Sequence, residues 1–388
     1  MFAKTTLKDW ENLVQKQLKT EDIYTVLSKE NLEGIELKPY YDTVSKPLPN
    51  LPRIEESTHL VSLYHASAEE NVFAFLLDQN VENLTEKVIF VNNKDLADHI
   101  SLDETNRYFS LIDVFSEDEK AEVNQQLVQE LLSKNFERNI CIDVSLHQNS
   151  GATITQQLAF ALAKTKELTE IFGSEILHKI IFKIAIGGNY FFEIAKIRAL
   201  KLLFNQFSKE FDFNEIPFIF AETSLRNKSK NDAENNLIRS TLELSAAMIG
   251  GADAVFSNDY KMENSTSLSE EISFKQQIVL AYESIINVFD DAGNGSYSIE
   301  TITQQFADKS WKLFLEIENN GGYCELLKAG KIQEMIYECA LKEQNWVEEG
   351  KLKIIGVNLY PKLEKIRSVE EMYVSTKIKP VRLAEMFE

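Results

Sequence analysis

The chain has 388 residues, of which 44% are hydrophobic and 10% aromatic, a composition that supplies a large apolar core and excludes a disordered or collagen-like protein. Its 61 acidic residues outnumber the 41 basic ones, and the formal charge of −20 would repel phosphate backbones and anionic lipids, so neither nucleic acid nor a membrane surface is an expected partner. No run of about 18 apolar residues is present, the first residues lack the apolar core of a secretory signal, and the three cysteines stand far apart. We therefore expect a cytoplasmic protein without disulfides.

The N-terminal part predicts an arm with little core of its own. Residues 6–29 carry apolar side chains close to helical spacing, which predicts one or two short amphipathic helices. Four of the seven prolines then fall in one short stretch, which should be extended because proline removes a backbone donor and restricts the preceding residue. These prolines are Pro39, Pro47, Pro49 and Pro52.

After the arm, short β-branched and aromatic runs alternate with helical patterns. The predicted strands are residues 58–65, 87–91, 108–114, 140–145, 181–186, 217–223, 253–257 and 286–290. The predicted helices are residues 67–79, 117–134, 151–172, 190–210, 232–249 and 272–286. This alternation predicts an α/β protein with a (β/α)8 TIM-type barrel. A doubly wound nucleotide-binding fold is disfavoured, because the chain has neither a G-x-G-x-x-G motif nor a P-loop.

The C-terminal part is predicted to be helical over residues 300–342, with a last strand or extended segment over residues 352–360. We therefore divide the chain into an arm of residues 1–57, a barrel with C-terminal helices over residues 58–350, and a C-terminal extension of residues 351–388.

The residues with reactive or charged side chains form no catalytic constellation. No histidine has a cysteine at ligand spacing, so no metal site is expected. His147 follows strand 140–145, at the barrel face where active sites of this fold gather, and it either acts there or is a polar loop residue. Loop 223–232 carries three basic residues, Arg226 among them, which either contact an anion or form a solvated loop. No nucleophile, base and orienting group combine into a site.

Several segments of the chain resemble one known family. At residues 191–199 (FFEIAKIRA), directly after strand 181–186, the sequence resembles the methylmalonyl-CoA mutase family, adenosylcobalamin-dependent isomerases whose acyl-CoA domain is a barrel of this type. Further segments agree in order and spacing, and the resemblance covers most of the chain. They are residues 32–41 (LEGIELKPYY), 151–162 (GATITQQLAFAL), 232–241 (DAENNLIRST), 250–252 (GGA), 295–302 (GSYSIETI), 310–322 (SWKLFLEIENNGG) and 354–360 (IIGVNLY).

The departures from the family pattern lie at its catalytic positions. In the catalytic chains a Tyr-His pair stands shortly before the Gly-Ala that corresponds to Gly151 and Ala152, whereas Ser145 and Leu146 occupy those places here and His147 comes one position late. A neighbouring charged residue, a later Thr-Ser-Gly-Trp run and an Arg-Pro-Trp block are also replaced. The residues now present are Gln148, Ser224-Leu225-Arg226-Asn227 and Val61-Ser62-Leu63-Tyr64. There is no D-x-H-x-x-G motif, so we expect no cobalt ligation and no cobalamin-binding domain in this chain.

This pattern resembles a small subunit of the family that keeps the barrel and loses the chemistry. The resemblance implies a noncatalytic chain without a cofactor of its own, paired with a large subunit that binds adenosylcobalamin and interconverts methylmalonyl-CoA and succinyl-CoA. The arm of residues 1–57 is expected to wrap that partner. The alternative is a free-standing binding protein with a vestigial acyl-CoA or anion pocket, and a homodimer of the isolated chain stays open. The pocket candidates are His147, Gln148, Thr223 and Arg226.

The barrel axis gives a further expectation. The family's catalytic barrel holds its strands apart so that the pantetheine arm of coenzyme A threads between them, and a chain without that role should fill the space with bulky side chains, because burial of each large apolar group contributes about 1.5–3 kcal/mol. Alternation along each strand should turn roughly half of the available residues inward. They are Leu60, Leu63, Ile89, Phe90, Leu111, Ile142, Ile184, Phe218, Phe220 and Phe256. His147 is expected at or near the rim.

Overall fold

The computed structural model describes residues 5–43, 47–64, 72–81, 83–116 and 121–388, and its centre is one parallel sheet of eight strands. The strands are β1 (His59–Leu63), β2 (Ala74–Leu77), β3 (Val88–Val91), β4 (Arg107–Ser110), β5 (Ile140–Asp143), β6 (Ile180–Ile186), β7 (Phe218–Thr223) and β8 (Ala254–Phe256). Their order is β4-β3-β2-β1-β8-β7-β6-β5, and every ladder is parallel.

The two ends of this order, β4 and β5, meet and nearly close the barrel. The amide of Ser110 donates to the carbonyl of Arg138 at 2.9 Å, and an isolated bridge pairs Asp113 with Cys141. These contacts form a seam without a continuous ladder. The predicted (β/α)8 TIM-type barrel is thereby confirmed, with the qualification that one of its strand pairs is joined by isolated contacts.

Helices surround the sheet, and the two longest barrel helices, α6 and α7, bury most of their residues. The helices are α1 (Leu7–Leu18), α2 (Ile23–Leu27), α3 (Lys94–His99), α4 (Gln125–Leu132), α5 (Ser145–Asn149), α6 (Ile154–Phe172), α7 (Tyr190–Lys209), α8 (Ala233–Ile249), α9 (Ser267–Ile278), α10 (Tyr297–Asn319), α11 (Gly322–Lys328), α12 (Lys331–Glu348) and α13 (Val369–Met372). Helix α6 starts with a capping box, in which Thr153 accepts from the amide of Gln156 and the Gln156 side chain accepts from the amide of Thr153. No helix in the described ranges is long and apolar enough to cross a bilayer.

Two predicted elements are wrong, although the predicted number of strands is right. The predicted helix 67–79 contains strand β2, all of whose residues are buried, while residues 67–71 lie outside the described part of the chain. The predicted strand 286–290 is irregular and largely exposed, and α9 instead continues beyond Ile278 as a π-helix over Val279–Glu283. Short apolar runs show neither the helical nor the strand period, so the sequence pattern alone cannot separate them.

Aromatic rings fill the barrel axis. The ring centroid of Phe90 lies 5.2 Å from that of Phe109 and 5.0 Å from that of Phe220, and Phe109 lies 4.7 Å from Phe218. Rings in such contact leave no passage for a pantetheine arm through this layer of described residues. The prediction that bulky side chains meet at the axis is thus confirmed.

Strand alternation decides which of the predicted axial residues point inward. Those in the inner cluster or packed against it are Leu63, Phe90, Leu111, Phe218, Phe220 and Phe256. Those that instead join or pack against the outer core beneath the helices are Leu60, Ile89, Ile142 and Ile184.

The second half of the predicted arm is fastened to the barrel of its own chain. The carboxylate of Glu33 accepts hydrogen bonds from two backbone amides at the start of α6, at 2.7 and 3.1 Å. Asp253, which directly precedes β8, accepts from the amides of Ile54 and Glu55 at 2.7 and 3.1 Å. The half-buried Glu33 thus pairs amides that the first turn of α6 leaves free, and the buried Asp253 pairs amides of the irregular arm.

The first half of the arm contributes almost nothing to the core. Helix α1 has no buried residue, and its apolar side chains are partly or largely exposed, with Leu13 at 55%. Val26 of α2 is 56% exposed. Both helices are capped, by Thr6 and Asp22, and the caps stabilise them although α1 buries no residue and α2 buries only Ile23.

Candidate functional site

A cleft of about 760 Å³ lies at the carboxyl-terminal face of the barrel, beside β5, β6 and β7. The starts of α6, α7 and α8 form one side, and α12 with residues 351–355 forms the other. Arm residues 30–33 contribute an edge. TIM-barrel active sites are built from the loops at this face, so the cleft is the candidate functional site.

The loops after β5 and β6 build the floor of the cleft. Gly151 adopts φ +104°, and an added Cβ would lie 2.5 Å from the Cβ of Ala340, so only glycine allows α12 to approach so closely. The Gln148 amide, in the orientation that satisfies both neighbours, donates to the carbonyl of Ala185 at 2.9 Å and accepts from the amide of Gly187 at 3.3 Å. Gln148 is therefore used to join the two loops.

Arg226 lines the cleft, but its charge is already neutralised. Its Nε donates to the Glu343 carboxylate at 2.5 Å, its Nη1 to the carbonyl of Val381 at 2.8 Å, and its Nη2 to the hydroxyl of Tyr373 at 3.3 Å. Although burial opposes it, the Glu343 carboxylate raises the pKa of Arg226. The guanidinium stays charged and paired, and offers little surplus attraction to an anionic ligand.

The other basic residues of loop 223–232 are also engaged with carboxylates. The Nζ of Lys228 lies 2.7 Å from both carboxylate oxygens of Glu243, and both side chains are buried. Lys230 pairs with Glu263 at the surface. The sequence left two alternatives for this loop, an anion site or a solvated loop. The structure favours neither, because the basic side chains of the loop hold it together by ion pairs.

His147 lies in the core and not in the cleft lining. Its Nε2 is 2.7 Å from the hydroxyl of Tyr323, and its ring centroid is 5.3 Å from that of Phe160. Helix α5 begins two residues after β5 ends, and this turn directs His147 away from the mouth toward α6 and α11. Its expected position at the rim is therefore wrong, since the ring is fully buried.

Thr223, at the end of β7, is buried and holds a loop. Its hydroxyl accepts from the amide of Asn258 at 3.0 Å, which ties β7 to the segment after β8. Of the predicted pocket residues, Gln148 and Arg226 line the cleft, whereas His147 and Thr223 do not.

Three charged side chains that the sequence analysis did not single out meet inside the barrel mouth. Asp143 ends β5, Lys183 lies in β6 and Glu222 in β7. The Nζ of Lys183 is 3.0 Å from Oδ2 of Asp143 and 3.4 Å from Oε2 of Glu222. Each stands two residues after a member of the inner cluster, so all three point inward, directly above the aromatic rings.

The two carboxylates differ in environment. Burial works against ionisation of Asp143, but the Lys183 ammonium outweighs it and lowers the pKa of Asp143. Burial raises the pKa of Glu222. Burial likewise disfavours the Lys183 charge, yet the two carboxylates raise the pKa of Lys183, so it stays protonated. Among the described residues no set of three or more histidine, cysteine or acidic side chains is arranged to hold a metal ion.

Of the charged residues in the FFEIAKIRA segment, Glu193 lines the cleft, whereas Lys196 and Arg198 fasten α7 to its surroundings. The Nζ of Lys196 donates to the carbonyl of Ala185 at 2.6 Å, at the end of β6. Arg198 makes two hydrogen bonds to Asp291 at 2.7 and 3.0 Å. Lys201, two residues beyond that segment, donates to the carbonyl of Leu51 in the arm at 3.2 Å.

Comparison with known proteins gives a consistent set of relatives. The sequence profile described as methylmalonyl-CoA mutase matches residues 126–386, about two thirds of the chain. The chain is 34% identical over 231 residues to the methylmalonyl-CoA mutase small subunit of Porphyromonas gingivalis, covering 56% of this chain and 37% of the relative. It is 30% identical over 243 residues to the probable methylmalonyl-CoA mutase small subunit of Mycobacterium bovis, covering 58% and 39%.

A relative named without a subunit designation is similar to the same degree. The chain is 32% identical over 225 residues to the methylmalonyl-CoA mutase of Rhizobium meliloti, covering 55% of this chain and 32% of the relative. The match thus spans between 32% and 39% of the length of these curated relatives.

Proposed function

This chain belongs to the methylmalonyl-CoA mutase family, and we propose on that premise that it is the noncatalytic small subunit of a heterodimeric, adenosylcobalamin-dependent mutase. Its partner, the large subunit, binds the cofactor and interconverts methylmalonyl-CoA and succinyl-CoA. Two of the relatives carry the small-subunit name, which supports this assignment.

The filled barrel axis is the observation that carries the proposal. A catalytic barrel of the family needs an axial passage for pantetheine, whereas Phe90, Phe109, Phe218 and Phe220 are in mutual ring contact here. Opening such a passage would remove buried aromatic rings from their neighbours, at about 3–5 kcal/mol for each truncated ring. A chain that bound acyl-CoA along this axis would have to bear that cost.

The residues present do not fit a histidine-ligated cobalt. Each histidine in the described part of the chain is engaged elsewhere, and none lines the cleft. The contacts are His59 with Glu55 at 3.0 Å, His99 with the carbonyl of Asp95 at 2.8 Å, His147 with Tyr323 at 2.7 Å, and His178 with Glu215 at 3.1 Å. His65 lies outside the described residues. We therefore assign the cofactor to the large subunit.

Helices α1 and α2 are suited to bind that partner. They expose an apolar face that their own barrel does not cover, with Leu13, Leu18 and Val26 each more than 40% exposed. Burial of such a face against another chain supplies the packing that α1 lacks within its own chain. Residues 31–57 serve as the tether, because they are pinned to the barrel at Glu33 and Asp253.

The second candidate is a free-standing binding protein that uses the cleft. The cleft volume of about 760 Å³ lies within the range of small-molecule sites, and this volume is the observation that supports the second candidate. The pairing of Arg226 with Glu343 weighs against an anionic ligand such as the phosphates of coenzyme A.

The test is to purify the full chain alone and together with a large mutase subunit from the same genome. We expect the isolated chain to leave the absorption spectrum of adenosylcobalamin unchanged and to show no isomerase activity, while the mixture forms a stable complex that is active. Stoichiometric cobalamin binding or turnover by the isolated chain would overturn the proposal. Saturable binding of methylmalonyl-CoA by the chain alone, without complex formation, would establish the second candidate instead.

A further inference from the structure

The segment after α9 carries an unusual density of exposed apolar side chains. Five large residues within eleven positions are between 45% and 68% exposed. They are Val279, Tyr282, Ile285, Val288 and Phe289. Together they expose on the order of 500 Å², comparable to the largest apolar patches of monomeric proteins, which often mark binding sites. We call these five residues, together with Phe73, the α9 patch.

The backbone of this segment is irregular in a way that requires explanation. Residues Val279–Glu283 form a π-helix, a conformation that occurs frequently at functional sites. Ile285 then adopts φ +54°, and the amide of Ile286 donates to the carbonyl of Leu280 at 3.3 Å. This is the position after a helix where glycine is the rule, and a β-branched side chain is strained there. Ile285 is 56% exposed, so burial of its side chain within this chain does not offset the backbone strain.

A pocket of about 220 Å³ opens beside the patch, between α9 and the amino ends of β1 and β2. Phe73 and Tyr282 line it and are 65% and 68% exposed, and Phe274 and Ile278 also contribute apolar surface. Interfaces are dominated by a few anchor side chains that fill such pockets. Ser57, Thr58 and Asn287 line the same pocket with polar groups, so it is suited to one aromatic side chain that carries a polar group.

We propose that the α9 patch is the surface on which the large subunit docks, with an aromatic side chain of that subunit inserted between Phe73 and Tyr282. This inference rests on the proposed small-subunit function and adds the location of the interface. A stable interface buries about 800 Å² on each partner, so the patch forms its apolar centre and further contact comes from the arm.

Two observations favour the large subunit over a second copy of this chain. A formal charge of −20 makes two copies repel each other, and the exposed acidic residues Glu283 and Asp290 border the patch. A partner with basic residues around an apolar centre is complementary to that rim. The patch also adjoins the arm, because the amide of Leu51 donates to the Asp291 carboxylate at 3.2 Å and the amide of Thr58, the first residue after the arm, donates to the carbonyl of Asn287 at 3.1 Å.

The experiment uses the full chain and the large subunit in an affinity titration, with three single variants. Tyr282→Ser should weaken binding by about 30-fold, which corresponds to about 2 kcal/mol for an interfacial anchor. Ile285→Gly should weaken binding as well, yet leave the Tm of the isolated chain unchanged or higher, because it relieves backbone strain. Leu268→Ser is the matched control, since Leu268 is 65% exposed near the other end of the same helix, about 20 Å away, and it should bind like the unmodified chain.

The outcomes separate this inference from the proposed function. If the unmodified chain does not bind the large subunit, the proposed function fails and this inference fails with it. If the unmodified chain binds and the Tyr282 and Ile285 variants bind equally well, the docking surface is elsewhere and only this inference is overturned. If the Tyr282 and Ile285 variants lose a homodimer that the unmodified chain forms, but still bind the large subunit, then a second copy of the chain covers the patch. That result would also refute this inference.

Discussion

The aromatic layer inside the barrel supports a quantitative prediction for Phe220→Ala. Phe220 is fully buried, and its ring lies 5.0 Å from that of Phe90 and 6.4 Å from that of Phe256. Truncation removes the ring from these neighbours and leaves a cavity that strands on all sides prevent from collapsing, so we expect a destabilisation of about 4 kcal/mol. For a chain of this length that unfolds as one unit, the entropy of unfolding is about 0.8 kcal/mol/K, which converts the loss into a fall in Tm of about 5 °C.

Phe191→Ala is the matched control for this experiment. Phe191 is also a phenylalanine of the barrel, but its side chain is 58% exposed at the start of α7, so its truncation should change the stability by less than about 1 kcal/mol. Calorimetry of the two variants beside the unmodified chain gives both shifts. Equal shifts, or a shift below about 1 °C for Phe220→Ala, would mean that the axis is not tightly packed, and the argument for a closed barrel centre would be lost.

Two further predictions concern the arm and the response to acid. Deletion of residues 1–30 should leave the Tm of the barrel nearly unchanged, because α1 buries no residue and α2 buries only Ile23, and it should abolish co-purification with the large subunit. Deletion of residues 1–57 should also lower the Tm, because Asp253 then loses the amides of Ile54 and Glu55. Unchanged pairing after the shorter deletion would contradict the role of the arm. Burial raises the pKa of Glu55, but hydrogen bonds from Arg107 and His59 outweigh this effect and lower the pKa to about 2. The ionised Glu55 therefore stabilises the fold fully above the ordinary carboxyl pKa, and this stabilisation is lost as the pH falls toward 2. Glu55→Gln should cost on the order of 2 kcal/mol at pH 7 and little at pH 2, as measured by urea unfolding, and an equal cost at both pH values would argue against this linkage.

Strand alternation shows how far the sequence determines the barrel. Runs such as β6, with seven residues of which all but Lys183 are buried, are long enough to identify a strand and its flanking helices. The four residues of β2 are too few to show any period, and the apolar run at residues 286–290 is exposed for a reason that no local pattern records. Predictions therefore succeeded where an element is long and failed where its environment depends on distant parts of the chain.

The charged residues at the barrel mouth have a sequence signal of their own. Asp143, Lys183 and Glu222 are each the one charged residue of a mostly apolar strand, and a charged residue in such a run indicates a polar group inside the barrel. His147 was the more conspicuous candidate because it follows a strand, but the turn into α5 decides which way its ring points, and that turn is set by packing against α6 and α11. The placement of Arg226 against Glu343 joins residues 117 positions apart, which no local pattern reveals.

The seam between β4 and β5 gives the barrel one preferred line of opening. These strands are consecutive among the eight of the chain but stand at opposite ends of the sheet order, so their separation unrolls the sheet without breaking any other ladder. Few backbone bonds cross the seam, among them the amide of Glu137 to the carbonyl of Tyr108 at 2.9 Å, so amide hydrogen exchange should begin along this line. An unrolled barrel presents two bare strand edges that pair readily with other chains, and aggregation of the protein should therefore start from β4 and β5.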